Sequence, residues 1–409
     1  MAAKMAGKTI EADILAVGGG LNGLPFAIAV AAAGLEVVLL EREKPAKLVD
    51  AKFDGRVSAI AHASRNLLLA SGVWKHVSEK EPMLDIRITD GPSKCFLHYD
   101  HRQLGDEPFG HMVENRHLRE ALYRRAKEIP TLTVLAPAEY RSITRDSSGV
   151  TAQLESGDIV TARLVVGADG RNSPLRKEAG IKTVGWSYDQ MGIVCTIAHE
   201  VPHHGVAQER FLNPGPFAIL PMTGNRSSLV WTEPTKRANV IMALGEEDFQ
   251  REMAKRFGDY LGKLEAVGPR WSYPLSLHQA ERYVDERLAL IGDAAHGMHP
   301  IAGQGLNLGL RDVAALAEVV IDAARLGQDI GGTMTLDDYQ RWRRFDSLTL
   351  LAITDGLNRL FTNDIGPVRL ARDLGLAAVN RMPPLKGFFM EHARGTVGKM
   401  PRLLRGEAL

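Results

Sequence analysis

The hydrophobic and polar positions of the first 41 residues predict two strands with a helix between them. Residues 12–17 and 35–40 are short apolar runs of the kind that forms buried strands, and the second run ends at Glu41. Residues 22–33 predict a helix, with Pro25 in the first turn, where a missing N–H is tolerated. The three elements together predict a βαβ unit.

The pattern of the following residues predicts a β-rich middle between two helical parts. Short helices are predicted at residues 58–70, with Ser58 as the N-cap, and at 118–127. Short alternating runs over 133–164 predict a β-meander. The remaining predicted elements are strands over 186–277 around a helix at 246–257, a buried strand at 288–291, a helix at 310–325, and helices from 336 onward with breaks at Gly366-Pro367 and Pro383-Pro384.

Length and composition indicate a globular chain of two or three domains, or one large α/β domain with insertions. The 409 residues are 45% hydrophobic and 24% charged, which is ordinary globular usage. Lys and Arg number 50 against 49 Asp and Glu, so the net charge is +1. A nearly neutral chain lacks the basic character of nucleic-acid-binding proteins, and we expect no nucleic-acid partner.

The cysteines and the N-terminal residues indicate a reducing compartment. Cys95 and Cys195 lack the spacing of a disulfide framework or a zinc site. The N-terminus has no apolar segment of the signal-peptide type, and the longest apolar stretch, residues 24–40, is interrupted by a proline, a glycine and a glutamate. We therefore expect a cytoplasmic protein that is soluble or peripheral on a membrane.

Glycine is over-represented, with 40 residues, and its first cluster follows the first strand. Gly18, Gly20 and Gly23 form a GxGxxG turn between strand and helix, where glycines let the chain bend and approach a pyrophosphate. Glu41, at the end of the second strand, is placed to bind a ribose diol and disfavours a 2′-phosphate, so FAD or NAD is preferred over NADP. The alternative is a structural turn with a solvated glutamate.

Two further glycine clusters also follow predicted buried strands. Residues 167–172 (GADGRN) carry an acid and a base, and residues 292–293 (GD) precede the glycine-rich segment 303–309 and Asp312. Each cluster alone is compatible with a plain turn at a strand end. The order and spacing of the three clusters are far more specific.

In that order, the clusters resemble those of the single-component flavin-dependent aromatic hydroxylases, which have the fold of para-hydroxybenzoate hydroxylase. More narrowly, the run from His299 to Gly309 with Asp312 is similar to the signature of the ubiquinone-biosynthesis flavin hydroxylases. The resemblance covers almost the whole chain, including residues 54–59, 114–116, 363–364 and 372–373.

The resemblance implies a mixed α/β (α+β) fold, in which a Rossmann-type FAD-binding domain is interleaved with a β-sheet substrate domain and followed by C-terminal helices. The implied boundaries are 1–75, 105–185 and 275–330 for the FAD-binding domain, 76–104 and 186–274 for the substrate domain, and 331–409 for the helical region. NAD(P)H is the implied electron donor, and no second GxGxxG is present in the sequence to give it a Rossmann domain of its own.

The resemblance also implies the residues that contact FAD. Asp293 would hold a ribityl hydroxyl, and residues 303–307 would place backbone N–H groups at the pyrimidine edge of the flavin. Asp169 would contact FAD and also affect NAD(P)H binding. Arg56 and Asn115 match positions that approach the cofactor; the alternatives are a surface arginine for Arg56 and a helix cap for Asn115. The full set is Gly18, Gly20, Gly23, Glu41, Arg56, Asn115, Asp169, Gly292, Asp293, Pro300, Gly303, Gln304, Gly305, Leu306 and Asn307.

The implied reaction is hydroxylation of a polyprenylated phenol in ubiquinone biosynthesis, with O₂ activated as a flavin C4a-hydroperoxide. No catalytic triad is evident in the sequence. His296 and His299, which with Pro300 adjoin the flavin loop, are candidates to polarise the phenol, and a structural role is the alternative for both. Apolar residues of the β-rich part are candidates for the substrate wall, with a core stripe as the alternative; they are Phe217, Leu220, Pro221 and Met222.

Residues 381–405 carry six Lys and Arg but one acid, interleaved with apolar side chains. This segment is predicted to dock on a membrane surface or on a partner protein of a quinone-biosynthesis complex. The alternative is a solvated terminal helix. A homo-oligomer also remains open. Two alternative functions are a catalytically idle, flavin-bound scaffold subunit and a flavin monooxygenase that acts on another aromatic substrate.

Overall fold

A computed structural model describes residues 7–45, 53–91, 96–299, 303–362 and 366–409. One half of the molecule is built on a six-stranded sheet that contains the two strands of the predicted βαβ unit. Its strands, in spatial order, are Val284–Asp285, Leu288–Leu290, Leu164–Gly167, Ile14–Val17, Val37–Leu40 and Leu132–Leu135. The first pair is antiparallel and all other pairs are parallel. The carboxyl ends of the parallel strands therefore meet at one edge of the sheet.

Helices pack against the sheets of the molecule and form its C-terminal part. In chain order they are α1 Gly23–Ala32, α2 His62–Ala70, α3 Asn115–Lys127, α4 Pro174–Glu178, α5 Thr235–Met242, α6 Glu246–Phe257, α7 Gly305–Arg325, α8 Thr333–Thr362, α9 Gly366–Arg381, α10 Pro383–Arg394 and α11 Arg402–Arg405. Short 3₁₀ turns lie at Trp74–His76, His101–Gln103 and Gly292–Ala294. Within the described ranges, no helix combines the length and the apolar composition of a membrane span.

The β-rich middle of the chain forms an eight-stranded sheet. Its strands, in spatial order, are His296–Gly297, Leu264–Ala280, Thr183–His199, Arg226–Pro234, Gly215–Met222, Val206–Leu212, Asp85–Asp90 and Phe96–Asp100. Helices α5 and α6 cover one face, where Phe217, Trp231 and Phe249 lie in a separate hydrophobic core. The opposite face looks toward the glycine-rich loops.

Two smaller sheets complete the fold, and they correct two sequence-based predictions. The strands Thr9–Glu11, Ile159–Ala162, Gly149–Leu154 and Tyr140–Asp146 form one sheet, and Val57–Ala61, Gly110–Glu114 and Glu81–Met83 form the other. The prediction of Ser58 as a helix N-cap is wrong, because Ser58 pairs with Val113 in a strand and the helix begins at His62. The predicted meander is shorter than 133–164, because its first and last strands join the parallel sheet.

Several helix bounds agree with the sequence pattern. Helix α6 spans residues 246–257 as predicted, with three acidic residues in its first turn and two basic residues in its last, which suits the helix dipole. The predicted breaks at Gly366 and Pro383 are the starts of α9 and α10. Helix α7 begins at Gly305, five residues before the predicted start, because the glycine-rich segment itself enters the helix. The boundaries of the domains stay a prediction.

Candidate active site

A cavity of about 1360 Å³ lies between the glycine-rich loops and the eight-stranded sheet. The loops contribute Gly20, Asn22, Asp293 and the segment 303–307 to its lining, and the sheet contributes mostly apolar side chains. Pockets for drug-sized ligands usually measure about 300 to 1000 Å³. This cavity therefore has room for a large cofactor and the head group of a substrate together.

The three glycines of the first turn have different roles. Gly18 has a φ of +102°, and a Cβ there would lie 2.4 Å from the carbonyl oxygen of Ala168. A Cβ on Gly23 would lie 1.9 Å from the carbonyl oxygen of Gly18, so these two glycines are required by the protein's own packing. A Cβ on Gly20 would meet no atom within 4 Å, and Gly20 lines the cavity. Gly20 is the position where a ligand can approach the backbone.

Glu41 organises the same turn from the end of its strand. One carboxylate oxygen accepts a hydrogen bond of 2.8 Å from the backbone N–H of Gly19, and the other accepts one of 2.8 Å from that of Glu43. A carboxylate has further lone pairs for ribose hydroxyls. Helix α1 begins at Gly23 with no side-chain cap, but the backbone N–H of Leu24 donates to the carbonyl oxygen of Gly20 at 3.2 Å and Pro25 has no N–H. The N–H groups that this turn can offer to phosphate are therefore those that precede Leu24.

The third cluster presents Asp293 to the cavity and holds it on a buried turn. Asp293 is the exposed residue in the otherwise buried run from Leu288 to His299, and it lines the cavity. Gly292, which has a φ of +58°, donates its backbone N–H to the buried carboxylate of Asp312 at 3.0 Å. An exposed carboxylate on such a turn suits the hydroxyls of a ribityl chain.

Asp312 is the centre of a buried charge network. Nε2 of His296 lies 2.6 Å from Oδ2 of Asp312, and Nε of Arg343 donates to Oδ1 at 2.8 Å. Burial raises the pKa of Asp312, but His296 and Arg343 outweigh it, so the pKa lies below its ordinary value. His296 is 2% exposed and engaged in this network. Of the two roles open for His296, this geometry supports the structural one.

The segment 303–307 leads into helix α7 beside the cavity. Gly303 has a φ of +62°, and the helix has no side-chain cap at Gln304, so its first N–H groups face the cavity without a capping side chain. The side chain of Asn307 is used by the protein: Oδ1 accepts from Ala61 N at 2.9 Å and Nδ2 donates to Ala59 O at 2.9 Å. A ligand would therefore meet this segment mainly through its backbone. Pro300 lies outside the described residues.

Arg56 and Asn115 line the cavity, whereas Asp169 does not. Nε of Arg56 donates to Oδ2 of Asp54 at 2.7 Å, and the guanidinium lies 5.7 Å from the centre of the Trp271 ring. Oδ1 of Asn115 accepts a hydrogen bond of 2.7 Å from the Ser58 hydroxyl.

The carboxylate of Asp169 is directed toward the turn that follows it. Oδ2 accepts from the backbone N–H of Leu175 at 3.2 Å, and Oδ1 is buried with no hydrogen-bond partner among the described residues. Burial raises the pKa of this carboxyl group. The two neighbours on either side, Ala168 and Gly170, line the cavity instead.

His299 lies in the cavity wall and packs edge-on against Tyr188, with ring centres 5.1 Å apart. Burial lowers the pKa of His299 to about 4, so the imidazole is neutral near pH 7. A neutral ring can still donate one hydrogen bond and accept another. The role of His299 toward the phenol stays a prediction.

The structure corrects three of the four predicted wall residues. Leu220 lines the cavity, but Phe217, Pro221 and Met222 do not. Side chains alternate across a strand, so Pro216, Ala218 and Leu220 face the cavity while Phe217 faces the opposite core, 5.9 Å from the Trp231 ring centre. Met222, at the end of the strand, is 2% exposed and packs in the protein interior.

Sequence reasoning missed residues that connect the glycine clusters. The Asn22 amide fills the space left by two glycines, because Cβ atoms on Gly292 and Gly309 would lie 2.3 and 2.5 Å from it. Arg176, largely buried, donates to the carbonyl oxygens of Ala294 and Arg171, each at 2.8 Å. Asn22 could have been singled out from the sequence, because it lies inside the GxGxxG turn. Nothing in the sequence around Arg176 indicates its contacts.

The described residues fit FAD. An exposed carboxylate, two uncapped helix N-termini and an open glycine position line or adjoin one cavity, and they match the hydroxyls, the phosphates and the flat ring of this cofactor. The individual contacts stay predictions.

Comparison with known proteins agrees with this site. The family model described as FAD binding domain matches residues 11–345. A ubiquinone hydroxylase, UbiL, of Rhodospirillum rubrum is 54% identical, over 97% of this chain and 94% of its own. The 3-demethoxyubiquinol 3-hydroxylase of Escherichia coli is 34% identical, over 94% and 98%. The crystal structure of p-nitrophenol 4-monooxygenase PnpA from Pseudomonas putida superposes with a TM-score of 0.79 at 20% identity, over 96% and 100%.

The class defined by the fold and the site is that of the FAD-dependent aromatic hydroxylases. The chain belongs, more narrowly, to the ubiquinone-biosynthesis flavin hydroxylase family.

Proposed function

We propose that the protein hydroxylates the aromatic ring of a polyprenylated phenol intermediate in ubiquinone biosynthesis. NAD(P)H supplies two electrons, one atom of O₂ enters a ring C–H bond, and the other leaves as water. The observation that carries this proposal is the apolar cavity, which runs from the predicted flavin residues along the eight-stranded sheet. The names of the relatives supply the substrate class.

The protein's own residues would bind and orient the reactants. FAD supplies the redox chemistry and the activation of O₂ when it is bound. The uncapped N-terminus of α7 would stabilise negative charge near segment 303–307, because unpaired N–H groups point out of the helix there. The apolar wall of the sheet would exclude water from the reacting ring.

A bilayer surface is the proposed source of the lipid substrate. In helix α10, Leu385, Phe388 and Phe389 are exposed by 37%, 49% and 37%, and Phe389 also lines the cavity. The exposed Arg381 and the partly exposed Lys386 flank these side chains. Aromatic and aliphatic side chains with basic neighbours suit an anionic membrane surface. Helix α10 would thus lie between the membrane and the cavity.

Only part of the basic segment 381–405 belongs to the proposed membrane surface, because its last residues pack against the protein. Arg402 hydrogen-bonds to Glu318 through its backbone N–H at 2.6 Å and approaches that carboxylate and Asp322 with its side chain, and Arg405 pairs with Glu407 at 2.8 Å. Leu403 and Leu404 are buried in the main core. Truncation before Arg381 would therefore remove core residues, and point substitutions are the better test.

The membrane proposal is tested by co-sedimentation with vesicles of phosphatidylglycerol and phosphatidylcholine. The double variant Leu385→Ser/Phe388→Ser should bind these vesicles several-fold more weakly than the original chain, with an unchanged melting temperature. The control Met334→Ser changes a side chain that is 85% exposed on α8. Equal binding of all three proteins would remove the membrane surface from the account.

Deletion of the gene tests the biosynthetic role. The proposal predicts that a polyprenylated phenol lacking one ring hydroxyl accumulates, identified by mass spectrometry, and that the original gene restores ubiquinone. A variant that binds FAD but does not turn over separates the enzyme from the scaffold alternative. If such a variant restores ubiquinone fully, the protein is a scaffold subunit.

A further inference from the structure

One carboxyl group lies in the apolar wall of the cavity. Glu209, on the strand Val206–Leu212, lines the cavity and pairs in register with Ile88 on one side and Ala218 on the other. The row continues across the sheet through residues that also line the cavity, namely Leu97, Val230, Val194 and Trp271. Glu209 is the charged residue in a row of otherwise uncharged side chains.

The carboxyl group of Glu209 has no hydrogen bond or ion pair with any residue in the described part of the chain. Its neighbours on the same face of its own strand, Ala207 and Phe211, are apolar. The side chain of Glu209 is half-buried and faces the cavity. A ligand that displaces water from the cavity has to replace the hydrogen bonds of this carboxyl group, because burying a polar group without a partner costs about 2 to 7 kcal/mol. The carboxyl group is therefore a binding point for a hydrogen-bond donor in the cavity.

The charged and titratable groups around Glu209 do not supply that partner. From the neighbouring strand and from α9, Asp90 and Arg372 bond to each other, with Nε of Arg372 donating to Oδ2 of Asp90 at 2.8 Å. The adjacent strand contributes the Tyr99 phenol. The other charged or titratable residues of the lining are Tyr273 on the sheet and Arg56, Arg171, Asp293 and His299 toward the glycine-rich loops.

We propose that Glu209 binds the phenolic hydroxyl of the substrate and thereby sets the orientation of the aromatic ring in the cavity. The carboxylate accepts the hydrogen bond that the phenol donates. This inference rests on the proposed function, because it takes the substrate to be a phenol. Fixing the hydroxyl on the sheet fixes which ring carbon faces the glycine-rich loops, so Glu209 is a binding residue that determines the position of hydroxylation.

The environment of Glu209 suits this role near neutral pH. Burial raises the pKa of its carboxyl group to about 7. The ionised form makes a charge-assisted hydrogen bond, which is roughly twice as strong as a neutral one. Above pH 7 the site should therefore favour a phenol over an ether of the same shape.

The test compares 2-prenylphenol with its O-methyl ether as ligands of the FAD-loaded protein. Dissociation constants are measured by perturbation of the flavin absorbance from pH 5.5 to 8.5, without NAD(P)H. The original chain should bind the phenol about tenfold more tightly than the ether above pH 7, and this preference should decline as Glu209 is protonated. Glu209→Gln should have a small preference that does not change with pH.

Glu265→Gln is the matched control, because Glu265 is exposed on another strand of the same sheet. It should behave as the original chain does. The proposal is overturned if Glu209→Gln retains the preference and its pH dependence, or if the original chain has no preference. Turnover of 2-prenylphenol is measured separately. If the original chain hydroxylates 2-prenylphenol and Glu209→Gln binds it with the same preference as the original chain, only the role of Glu209 is contradicted. If the original chain does not hydroxylate 2-prenylphenol, the proposed function is contradicted.

Discussion

The backbone N–H of Gly292 donates a hydrogen bond of 3.0 Å to the carboxylate of Asp312, twenty residues further along the chain. The same carboxylate holds His296 at 2.6 Å and Arg343 at 2.8 Å, and it is fully buried. Asp312 thus joins helix α7 and helix α8 to the turn that presents Asp293 to the cavity. The shape of this turn depends on a buried charge from another helix as well as on Gly292 itself.

Replacing Asp312 with alanine should destabilise the protein and weaken FAD binding together. The change leaves Arg343 and His296 without their shared partner, and breaking a buried pair typically costs about 3 to 5 kcal/mol. Thermal unfolding and FAD titration measure the two effects. Asp338→Ala, at a side chain that is 61% exposed on α8, is the control and should change stability little. An Asp312→Ala protein with unchanged unfolding and FAD affinity contradicts this account of the turn.

The glycines of the first turn should separate into two classes. Gly23→Ala should destabilise the FAD-free protein by about 1 to 3 kcal/mol, because its Cβ overlaps backbone. Gly20→Ala should leave the melting temperature of the FAD-free protein unchanged but weaken FAD binding, since its Cβ points into open space that the cofactor needs. Calorimetry with and without FAD distinguishes them. Equal FAD affinity of Gly20→Ala and the original chain contradicts the assigned role of Gly20.

Two adjacent residues of one strand should respond in opposite ways. Phe217→Ala should cost about 3 to 5 kcal/mol of unfolding free energy, because Phe217 is fully buried in the core opposite the cavity. Ala218→Phe should leave FAD content unchanged and weaken binding of 2-prenylphenol about tenfold, because the new ring occupies the cavity. Denaturant unfolding and ligand titration provide the measurements. If Phe217→Ala weakens ligand binding and Ala218→Phe mainly destabilises the fold, then Phe217 faces the cavity and Ala218 faces the core, which contradicts the assignment.

The stability of the ligand-free protein should depend on Glu209 between pH 4.5 and 7. The pKa of Glu209 is raised from 4.5 to about 7, so the folded protein keeps a proton that the unfolded chain has released. Unfolding free energy should therefore fall as pH rises through this interval and level off above it, by on the order of 2 to 3 kcal/mol. Glu209→Gln should lack this component, as followed by denaturant unfolding at several pH values. If the unfolding free energies of the original chain and Glu209→Gln change in parallel with pH, the pKa of Glu209 is not raised.

The elements that depend on local patterns could be predicted from the sequence. Helix α6 has the predicted bounds, and the βαβ unit and the turn at Gly292 lie where the apolar runs end. The pattern of the strand Val57–Ala61 predicts part of a helix, because its partner strand Gly110–Glu114 lies about fifty residues further along the chain and leaves no local signal.

The cavity wall was harder to predict than the cofactor loops. The face of Gly215–Met222 that meets the cavity depends on the register with two neighbouring strands, so Phe217 and Leu220 could not be told apart from their own sequence. Ala207, Glu209 and Phe211 lie on one face of their strand, so the sequence does show a single acid on an apolar face. The sequence alone does not show that this face lines the cavity, because that depends on how the sheet packs against the glycine-rich loops.

The proposed function requires that the protein transfers an oxygen atom from O₂ to a prenylated phenol. The most direct measurement incubates the FAD-loaded protein with NADH or NADPH, 2-prenylphenol and ¹⁸O₂, and analyses the products by mass spectrometry. We expect substrate-stimulated oxidation of NAD(P)H and a hydroxylated ring that carries one ¹⁸O atom. Oxidation of NAD(P)H that yields only hydrogen peroxide, or a product whose new oxygen comes from water, would contradict it.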